Sequence, residues 1–451
     1  MPVSRRQFFT WASMSAAGAV IAAPLKAFYA QEAVRSRLGD GRSKQASQLI
    51  LEDVGYGALQ PDPNGLLDLP AGFRYHVLSR EGDIMNDGHP VPGAFDGMAA
   101  FADAHGNTVL IRNHELLPDS STQIVAPAGN QYDPHAKGGT TTVVIGGDRT
   151  LLRQYTSLAG TCRNCSGGAT PWNSWISCEE DTSTPATSGW IHRSRVSKPH
   201  GYAFEVPIAA TAAVTPEPLV AMGRFKHEAI AVDPRTGVVY QTEDQIDGLF
   251  YRFIPHTPGQ LQAGGVLEAL CIQGRSQAIT RANVPIGQPM PVEWVRIAAV
   301  DPVEDTVRME GFAKGAAQFS RGEGICYSNG ELYFTCTNGG NRPYGQVWRY
   351  IPGLTVSDGG TIELFVQPDN ATVLDFPDNL VMAPSGDLMI CEDGRGAQYV
   401  VGLTPTGRLY KFARNAINRS EFAGICFSPN GQTMFLNIYQ PGITFAIWSE
   451  P

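Results

Sequence analysis

The sequence predicts an all-β fold, a six-bladed β-propeller with irregular insertions between its blades. A hairpin pattern recurs along the chain: a short apolar strand, a turn of Asn, Asp, Pro and Gly, and a second apolar strand that ends in a polar or acidic residue. A third strand, rich in aromatic residues, follows most copies. The 49 Gly and 32 Pro residues among 451 supply many turns. Repeated antiparallel meanders of this kind are typical of propeller blades.

The hairpin pattern occurs six times. In chain order the copies are FDGMAAFADAHGNTVLIRNHE from Phe95, CSGGATPWNSWISCEE from Cys165, HEAIAVDPRTGVVYQTED from His227, EGICYSNGELYFTCTN from Glu323, DNLVMAPSGDLMICED from Asp378 and FAGICFSPNGQTMFLNI from Phe422. The third strands include GYAFEVP, GLFYRFIP, GQVWRYIP and GRLYKFAR. The copies are unequally spaced, which predicts insertions between the blades. A large β-sandwich or jelly roll is the alternative fold for such a pattern.

The first thirty residues are predicted to be an export signal. Arg5 and Arg6 lie in SRRQFFT, which resembles the twin-arginine pattern S-R-R-x-F-L-K, and a short apolar run and Lys26 follow them. An ordinary secretory signal that contains an Arg pair by chance is the alternative. We therefore expect residues 31–451 to form one propeller domain, with an N-terminal extension over residues 31–70, in the periplasm or outside the cell.

The charge balance limits the classes of partner. A net charge of -9 argues against a nucleic acid or an anionic membrane surface as the main partner. No second hydrophobic stretch is long enough to span a bilayer, so we expect no membrane association of the mature form. The expected partners are the twin-arginine export machinery, cations and a small-molecule substrate, and the expected state is a monomer.

The polar residues at the two ends of each hairpin are the candidate site. In a propeller these ends open toward the central channel, so we expect their side chains to converge there. Before the first strands lie Asp96, Cys165, His227, Glu228, Arg321, Glu323, Asp378, Asn379 and Glu421. After the second strands lie Asn113, His114, Glu115, Glu179, Glu180, Glu243, Asp244, Asn338, Glu392, Asp393 and Asn437.

Many carboxylates around one narrow channel repel one another unless cations neutralise them or their pKa values rise. Carboxylate and amide oxygens suit Ca²⁺, whereas a thiolate suits a transition metal. The sequence therefore predicts a site for mixed metals, in which Arg321 either bridges neighbouring acids or serves as a clamp for a phosphate oxygen. The competing interpretation is that these polar residues cap turns and face water, as strand-end residues do in any β-protein.

Seven of the eight cysteines fall into two groups. Five lie in strands at matching repeat positions and are predicted to be core residues: Cys178, Cys326, Cys336, Cys391 and Cys426. Cys271 has no assignable role. Cys162 and Cys165 form a C-x-x-C pair, which is compatible with a disulfide, a redox dithiol or metal ligands. For Cys165 we favour a metal ligand.

Sequence motifs for other enzyme classes are absent. The chain has no G-x-S-x-G elbow, no Walker sequence, no G-x-G-x-x-G after a strand and no H-E-x-x-H. A serine hydrolase or a nucleotide-dependent enzyme is therefore not indicated.

Several runs, in this order over roughly residues 95–440, resemble those of the PhoX-type alkaline phosphatases. They are RNHE, NCSGGATPWNSWISCEE, GRFKHE, TEDQIDGLFYRF, RGEG, TCTN, DNLVMAPSGDLMICEDG and EFAGICFSPNGQTMFLNI. The resemblance implies a six-bladed propeller, exported by the twin-arginine route, that hydrolyses phosphomonoesters with a cluster of Fe³⁺ and Ca²⁺. One block departs from the family pattern, because RGE stands here where R-P-E is expected.

The resemblance also implies roles for individual residues. Cys165 is similar to the family's iron-bridging thiolate, Glu228 and Glu323 to its metal-binding glutamates, and Arg321 to the arginine that contacts phosphate. Residues in matching blocks would supply calcium ligands or contacts behind them: Glu115, Glu180, Asp244, Asp378, Asn379 and Asp393. Two alternatives remain open: a calcium-dependent propeller hydrolase of lactonase or phosphotriesterase type, and a non-catalytic, calcium-stabilised binding propeller.

Overall fold

The computed structural model describes residues 55–187 and 195–450, and this part of the chain is built of antiparallel β-strands. The strands form six meanders, numbered here in chain order, in which each strand pairs with the next. The helical segments in the described ranges are short. They are the α-helix α1 (Val307–Ala313) and the 3₁₀ turns Ala128–Asn130, Val220–Met222 and Leu261–Ala263.

The first three meanders occupy residues 95–272. Meander 1 is β4 (Phe95–Ala102), β5 (Thr108–His114), β6 (Gly138–Ile145) and β7 (Leu151–Thr161). Meander 2 is β8 (Asn164–Ala169), β9 (Ser174–Glu179) and β10 (Ala203–Pro207). Meander 3 is β11 (His227–Val232), β12 (Val239–Glu243), β13 (Phe250–Pro255) and β14 (Gly265–Ile272).

The last three meanders use the C-terminal part of the chain and one N-terminal strand. Meander 4 is β16 (Gly322–Ser328), β17 (Glu331–Cys336), β18 (Gln346–Ile351) and β19 (Thr361–Val366). Meander 5 is β20 (Pro377–Met382), β21 (Leu388–Glu392), β22 (Tyr399–Leu403) and β23 (Leu409–Asn415). Meander 6 is β24 (Phe422–Phe427), β25 (Met434–Ile438), β26 (Ile443–Ser449) and β3 (Phe73–Arg80).

The meanders are arranged in a ring. The first strand of each meander is innermost, and each innermost strand contacts those of its two neighbours, including β24 of meander 6 against β4 of meander 1. A separate apolar cluster fills the space between each pair of neighbouring meanders. The ring is closed by β3, since this strand from the N-terminal side pairs with β26 from the C-terminal end. The predicted all-β, propeller-like fold is therefore confirmed.

The prediction of six separate blades is wrong with respect to strand pairing. The described strands form five hydrogen-bonded sheets, because meanders 3 and 4 belong to one nine-stranded sheet. The strand that joins them is β15 (Met290–Arg296), which pairs with the outer strands β14 and β19. This strand comes from an insertion that has no counterpart in the hairpin repeat.

The whole of the predicted export signal and part of the predicted N-terminal extension lie outside the described residues. Of the described part, β1 (Leu59–Gln60) and β2 (Leu67–Pro70) form an antiparallel pair. Strand β2 also pairs with β23, on the outer edge of meander 5. Within the described ranges, no helix has the length and apolar character needed to cross a bilayer.

Each innermost strand carries a β-bulge near its start. In β4, Phe95 pairs with His114 but Met98 pairs with Arg112, so an advance of three residues along β4 is matched by only two residues along β5. The same shift occurs in the other five innermost strands. A bulge adds one residue, bends the strand and redirects the side chains next to it. Six equivalent bulges therefore act on equivalent side chains around the ring.

The adjacent glycines of meander 2 allow close packing. A Cβ atom on Gly167 would lie 1.9 Å from the carbonyl oxygen of Ile176, and one on Gly168 would lie 2.1 Å from that of Ile230. Ile230 belongs to β11, so Gly168 sets the approach of meander 2 to meander 3.

We expect Gly168→Ala to lower the free energy of unfolding by about 1–3 kcal/mol, because the added methyl group has to push two meanders apart. Gly396→Ala is the matched control, since a Cβ atom at Gly396 meets nothing within 4 Å. Denaturant unfolding of both variants checks this expectation. Equal stability of the two variants would contradict the tight contact described here.

Candidate metal centre

Three rings of residues surround the inner end of the propeller, one residue from each meander in each ring. The entry ring immediately precedes the innermost strands: Ala94, Arg163, Lys226, Arg321, Phe376 and Glu421. The bulge ring is the second residue of those strands: Asp96, Cys165, Glu228, Glu323, Asp378 and Ala423. The exit ring immediately follows the second strands: Glu115, Glu180, Asp244, Thr337, Asp393 and Tyr439.

One backbone hydrogen bond recurs in every meander and connects two of these rings. The N–H of each exit-ring residue donates to the carbonyl oxygen of the entry-ring residue in its own meander, at 2.9–3.2 Å. The three rings therefore have the same backbone framework in all six meanders. Differences between meanders at this end lie in the side chains.

Most of these side chains face one cavity of about 1140 Å³. Fifteen ring members line it, and the exceptions are Thr337, Phe376 and Ala423. Of the residues proposed from sequence, those in the lining are Asp96, Glu115, Cys165, Glu180, Glu228, Asp244, Arg321, Glu323, Asp378, Asp393 and Glu421. The structure thus brings together side chains from all six meanders, which lie up to 325 positions apart in the chain.

Two groups of three side chains are close enough to hold metal ions. The first is Cys165, Glu180 and Glu228, and the second is Glu228, Glu323 and Asp378. Within each group the ligand atoms lie within 4.8 Å of one another. Glu228 belongs to both groups, so the two candidate positions are adjacent. One position offers a thiol and two carboxylates, and the other offers three carboxylates.

The carboxylates of the cavity raise one another's pKa values. The pKa of Asp378 is raised to about 8, first by burial and then by the Asp393 carboxylate. Burial also raises the pKa of Glu228 well above its usual range, and the nearby Glu323 adds to the effect. The same two causes, burial and then a neighbouring carboxylate, raise the pKa values of Asp96, Glu180, Glu323 and Glu421.

The Cys165 thiol lies within this acidic group. Its Sγ donates to the carbonyl oxygen of His227 at 3.4 Å. Burial, followed by the charge of Glu228, raises its pKa well above the usual value for a thiol. A thiolate at this position therefore requires a cation nearby.

Side chains of the preceding meander hold the bulges in place. Asn437 donates to the carbonyl oxygen of Asp96 at 2.6 Å, and the Thr335 hydroxyl donates to that of Asp378 at 2.8 Å. The Thr242 hydroxyl similarly donates to the carbonyl oxygen of Glu323 at 2.5 Å. Each of these bonds joins a second strand to the bulge of the next meander in the ring. The positions of the cavity acids therefore depend on contacts between meanders.

Several residues predicted to face the channel do not line the cavity. The last residue of four second strands points to the opposite face, because successive side chains in a strand alternate. These residues are His114, Glu179, Glu243 and Glu392. Each binds its own meander or the loops beside it. Glu243, for example, accepts from the Leu249 N–H at 3.1 Å and from the Tyr251 hydroxyl at 2.7 Å.

The remaining predicted channel residues also lie behind the cavity. The His227 ring stacks on Phe225 at 3.7 Å and bonds to the carbonyl oxygen of Gly223 at 2.9 Å. Asn379 accepts from the Gly424 N–H at 2.6 Å and donates to Asp378 at 3.2 Å. Other hydrogen bonds hold Asn113, Asn338 and Asn437.

All eight cysteines are free thiols, so Cys162 and Cys165 do not form a disulfide. Four of the five predicted core cysteines are buried, and Cys326 is half-buried against the apolar cluster of meanders 4 and 5. Cys162 is buried as well, and its N–H donates to Glu179 at 2.8 Å. The two cysteines of the C-x-x-C pair therefore have different surroundings.

Three ring members with polar side chains line the cavity but were missed by reasoning from sequence: Arg163, Lys226 and Tyr439. Arg163 donates from Nε to Glu115 at 2.7 Å and from Nη1 to Glu180 at 2.9 Å. Alignment of the repeats could have identified two of them, because Arg163 and Lys226 occupy the same entry-ring position as Arg321.

Comparison with known proteins gives one family. The model of the family described as Alkaline phosphatase PhoX matches residues 54–442. A solved structure of Pseudomonas fluorescens PhoX, in complex with the transition-state analogue vanadate, is 20% identical; the match covers 86% of this chain and 96% of that one, with a TM-score of 0.67. A gluconolactonase from Xanthomonas campestris is 12% identical, with 88% and 98% coverage and a TM-score of 0.42. No curated protein sequence matches the chain.

A buried ionic network next to the metal centre gives a prediction about stability. His200 lies between Glu179, at 2.6 Å from Nδ1, and Asp133, at 3.4 Å from Nε2. Burial lowers the pKa of His200, but the two carboxylates outweigh it and raise the pKa to about 9. Since this exceeds the usual value of 6.5, the protonated ring stabilises the fold below about pH 6.5.

We therefore expect the stabilisation by His200 to be lost as the pH rises through about 9. The free energy of unfolding of the native protein should exceed that of His200→Gln by up to about 3 kcal/mol near pH 6, and the difference should shrink toward pH 9. Denaturant titrations of both proteins across this range measure it. A difference that stays constant or grows with pH would contradict the charged network.

Proposed function

This chain belongs to the alkaline phosphatase PhoX family and is a metal-dependent phosphatase, and we propose that its cavity holds a mixed cluster of Fe³⁺ and Ca²⁺. The observation that supports the cluster is the pair of adjacent three-ligand groups that share Glu228. The groups differ in their ligand atoms, and this difference would determine which of the two ions each group binds.

The group with the thiol suits iron, because thiolates are soft ligands that favour transition metals. Cys165, Glu180 and Glu228 would hold it. The group of carboxylates suits Ca²⁺, which prefers six to eight oxygen ligands. Glu228, Glu323 and Asp378 would form the centre of that site, with further oxygens from Glu115, Asp244 and Asp393. Asn379 would position Asp378 through their hydrogen bond.

The charges of the cavity favour bound cations. Glu228, Glu323 and Asp378 all have raised pKa values because they face other carboxylates in a buried place. Cations at the two positions would compensate this repulsion and favour the ionised forms. When bound, such cations neutralise phosphate oxygens and lower the pKa of a coordinated water.

The chain's own contribution would be to bind and orient the phosphate ester. Arg321 is held by Asp244, at 2.8 Å from Nε, and by Glu323, at 2.7 Å from Nη2. These bonds fix the guanidinium at the cavity wall, and Nη1 makes no hydrogen bond with the described residues. We assign this free nitrogen to a phosphate oxygen of the substrate. No protein nucleophile is required.

We also propose the finer features of fold, location and assembly. The meanders would surround one channel, in a single domain over residues 31–451 with an extension at residues 31–70. SRRQFFT supports export through the twin-arginine machinery to the periplasm or outside the cell, with residues 1–30 as the signal, and the net charge of -9 supports a monomer.

Replacement of the thiol tests the iron site. We expect Cys165→Ala to lose bound iron and to lower kcat for an aryl phosphate by at least about 100-fold, because it removes a ligand. Cys178→Ala is the matched control, since this thiol is buried in the core between meanders 2 and 3. Elemental analysis and steady-state kinetics of the purified proteins provide the measurement. Native iron content and activity in Cys165→Ala would rule out the assignment.

Removal of calcium tests the carboxylate site. We expect a calcium-selective chelator to abolish turnover and to lower Tm by several degrees, because bound ions stabilise the folded state by mass action. Added Ca²⁺ should restore both. A purified protein that binds calcium but turns over no phosphoester at any pH would instead be a non-catalytic binding propeller.

A further inference from the structure

Arg163 and Arg321 are structurally equivalent residues of two different meanders. Both belong to the entry ring, and both have a positive backbone φ, 52° and 50°. Arg163 donates its N–H to the carbonyl oxygen of Leu116, and Arg321 donates its N–H to that of Gln245. The acceptor is in both cases the residue that follows the exit-ring acid of the preceding meander. A positive φ is uncommon for arginine, so the shared geometry reflects the repeat.

The two side chains share one anchor, the bond from Nε to an acid of the preceding meander, and Arg321 in addition donates from Nη2 to Asp244 at 2.9 Å. Nε of Arg163 donates to Glu115 at 2.7 Å, and Nε of Arg321 donates to Asp244 at 2.8 Å. Glu115 and Asp244 are the exit-ring acids of the preceding meanders. Each guanidinium makes a second ion pair within its own meander, Arg163 with Glu180 and Arg321 with Glu323. Each arginine is therefore fixed by two carboxylates.

Each guanidinium keeps one terminal nitrogen free. Nη2 of Arg163 and Nη1 of Arg321 make no hydrogen bond within the described ranges of the chain. The side chains are 33% and 28% exposed, and both line the cavity. A guanidinium that is fixed through two of its nitrogens, with the N–H donors of the third unused, is arranged to bind an oxyanion.

The positions of the two arginines place them on either side of the metal centre. Arg163 belongs to meander 2 and Arg321 to meander 4, and meander 3 between them carries Glu228, which both ligand groups share. Lys226 continues this basic arc in meander 3. The entry ring of the other three meanders carries no cation. An anion bound to metals that Glu228 holds would therefore have a guanidinium on each side.

We propose that Arg163 is a second substrate-binding residue, which contacts the phosphate group of the ester from the side opposite Arg321. This inference rests on the proposed function, because the phosphate is placed by the metal centre. The alternative role for Arg163 is that of a fixed cation that takes the place of a calcium ion between Glu115 and Glu180.

Arg163→Gln tests the proposal with inorganic phosphate and p-nitrophenyl phosphate as probes. We expect the inhibition constant of phosphate and KM to rise by about 10- to 100-fold, since a charge-assisted hydrogen bond is lost. Iron and calcium content should stay at the native level. Arg163→Lys should restore part of the affinity, because a point charge replaces the planar guanidinium.

Two further variants make the test specific. Arg321→Gln should raise the same constants, and Arg235→Gln should leave them unchanged. Arg235 is the matched control because its ion pair with Asp233 lies at the turn of meander 3, outside the cavity lining.

Three results would overturn the proposal. Unchanged KM and phosphate inhibition in Arg163→Gln would show that the residue does not bind the anion. Unchanged phosphate inhibition with a gain of calcium would identify Arg163 as the fixed cation. Loss of metal from both Arg163→Gln and Arg163→Lys would assign it a structural role. By contrast, a native protein without metal or turnover would contradict the proposed function itself.

Discussion

Mutual repulsion among carboxylates around one buried cavity is the constraint on which this structure depends. Acids from all six meanders face the same space, and burial together with their mutual repulsion raises their pKa values. The fold holds them there through the packing and hydrogen bonding of the whole ring. Bound cations would convert this unfavourable arrangement into a strong site, which explains how a protein with a net charge of -9 can concentrate acids at its centre.

The β-bulges connect this constraint to the fold. One extra residue at the same place in every innermost strand turns the next side chain inward, and the preceding meander fixes the bulge by hydrogen bonds such as that from Asn437 to Asp96. The repeat therefore supplies the same backbone framework in every meander, and the side chains make the meanders chemically different. Cys165 stands where four of the other meanders have an acid, and this difference creates one position for a soft metal next to one for a hard metal.

The sequence predicted the repeat and most cavity acids because these signals are local. Hairpin patterns and strand-end acids can be recognised within about twenty residues. It did not predict which of two adjacent polar residues faces the cavity, as at Asp378 and Asn379, because a bulge changes the alternation without a local signal. It also missed Arg163, whose importance lies in its repeat equivalence to Arg321. Strand β15 could not be anticipated, since its pairing with β14 and β19 is decided by tertiary contacts.

The most direct test of the metal centre is a crystal structure of the purified, folded protein with anomalous data collected at the iron absorption edge. The account predicts an iron peak in contact with Cys165 Sγ and with the carboxylates of Glu180 and Glu228, and calcium density beside Glu323 and Asp378. An absence of iron from the cavity, or an iron peak remote from Cys165, would contradict it.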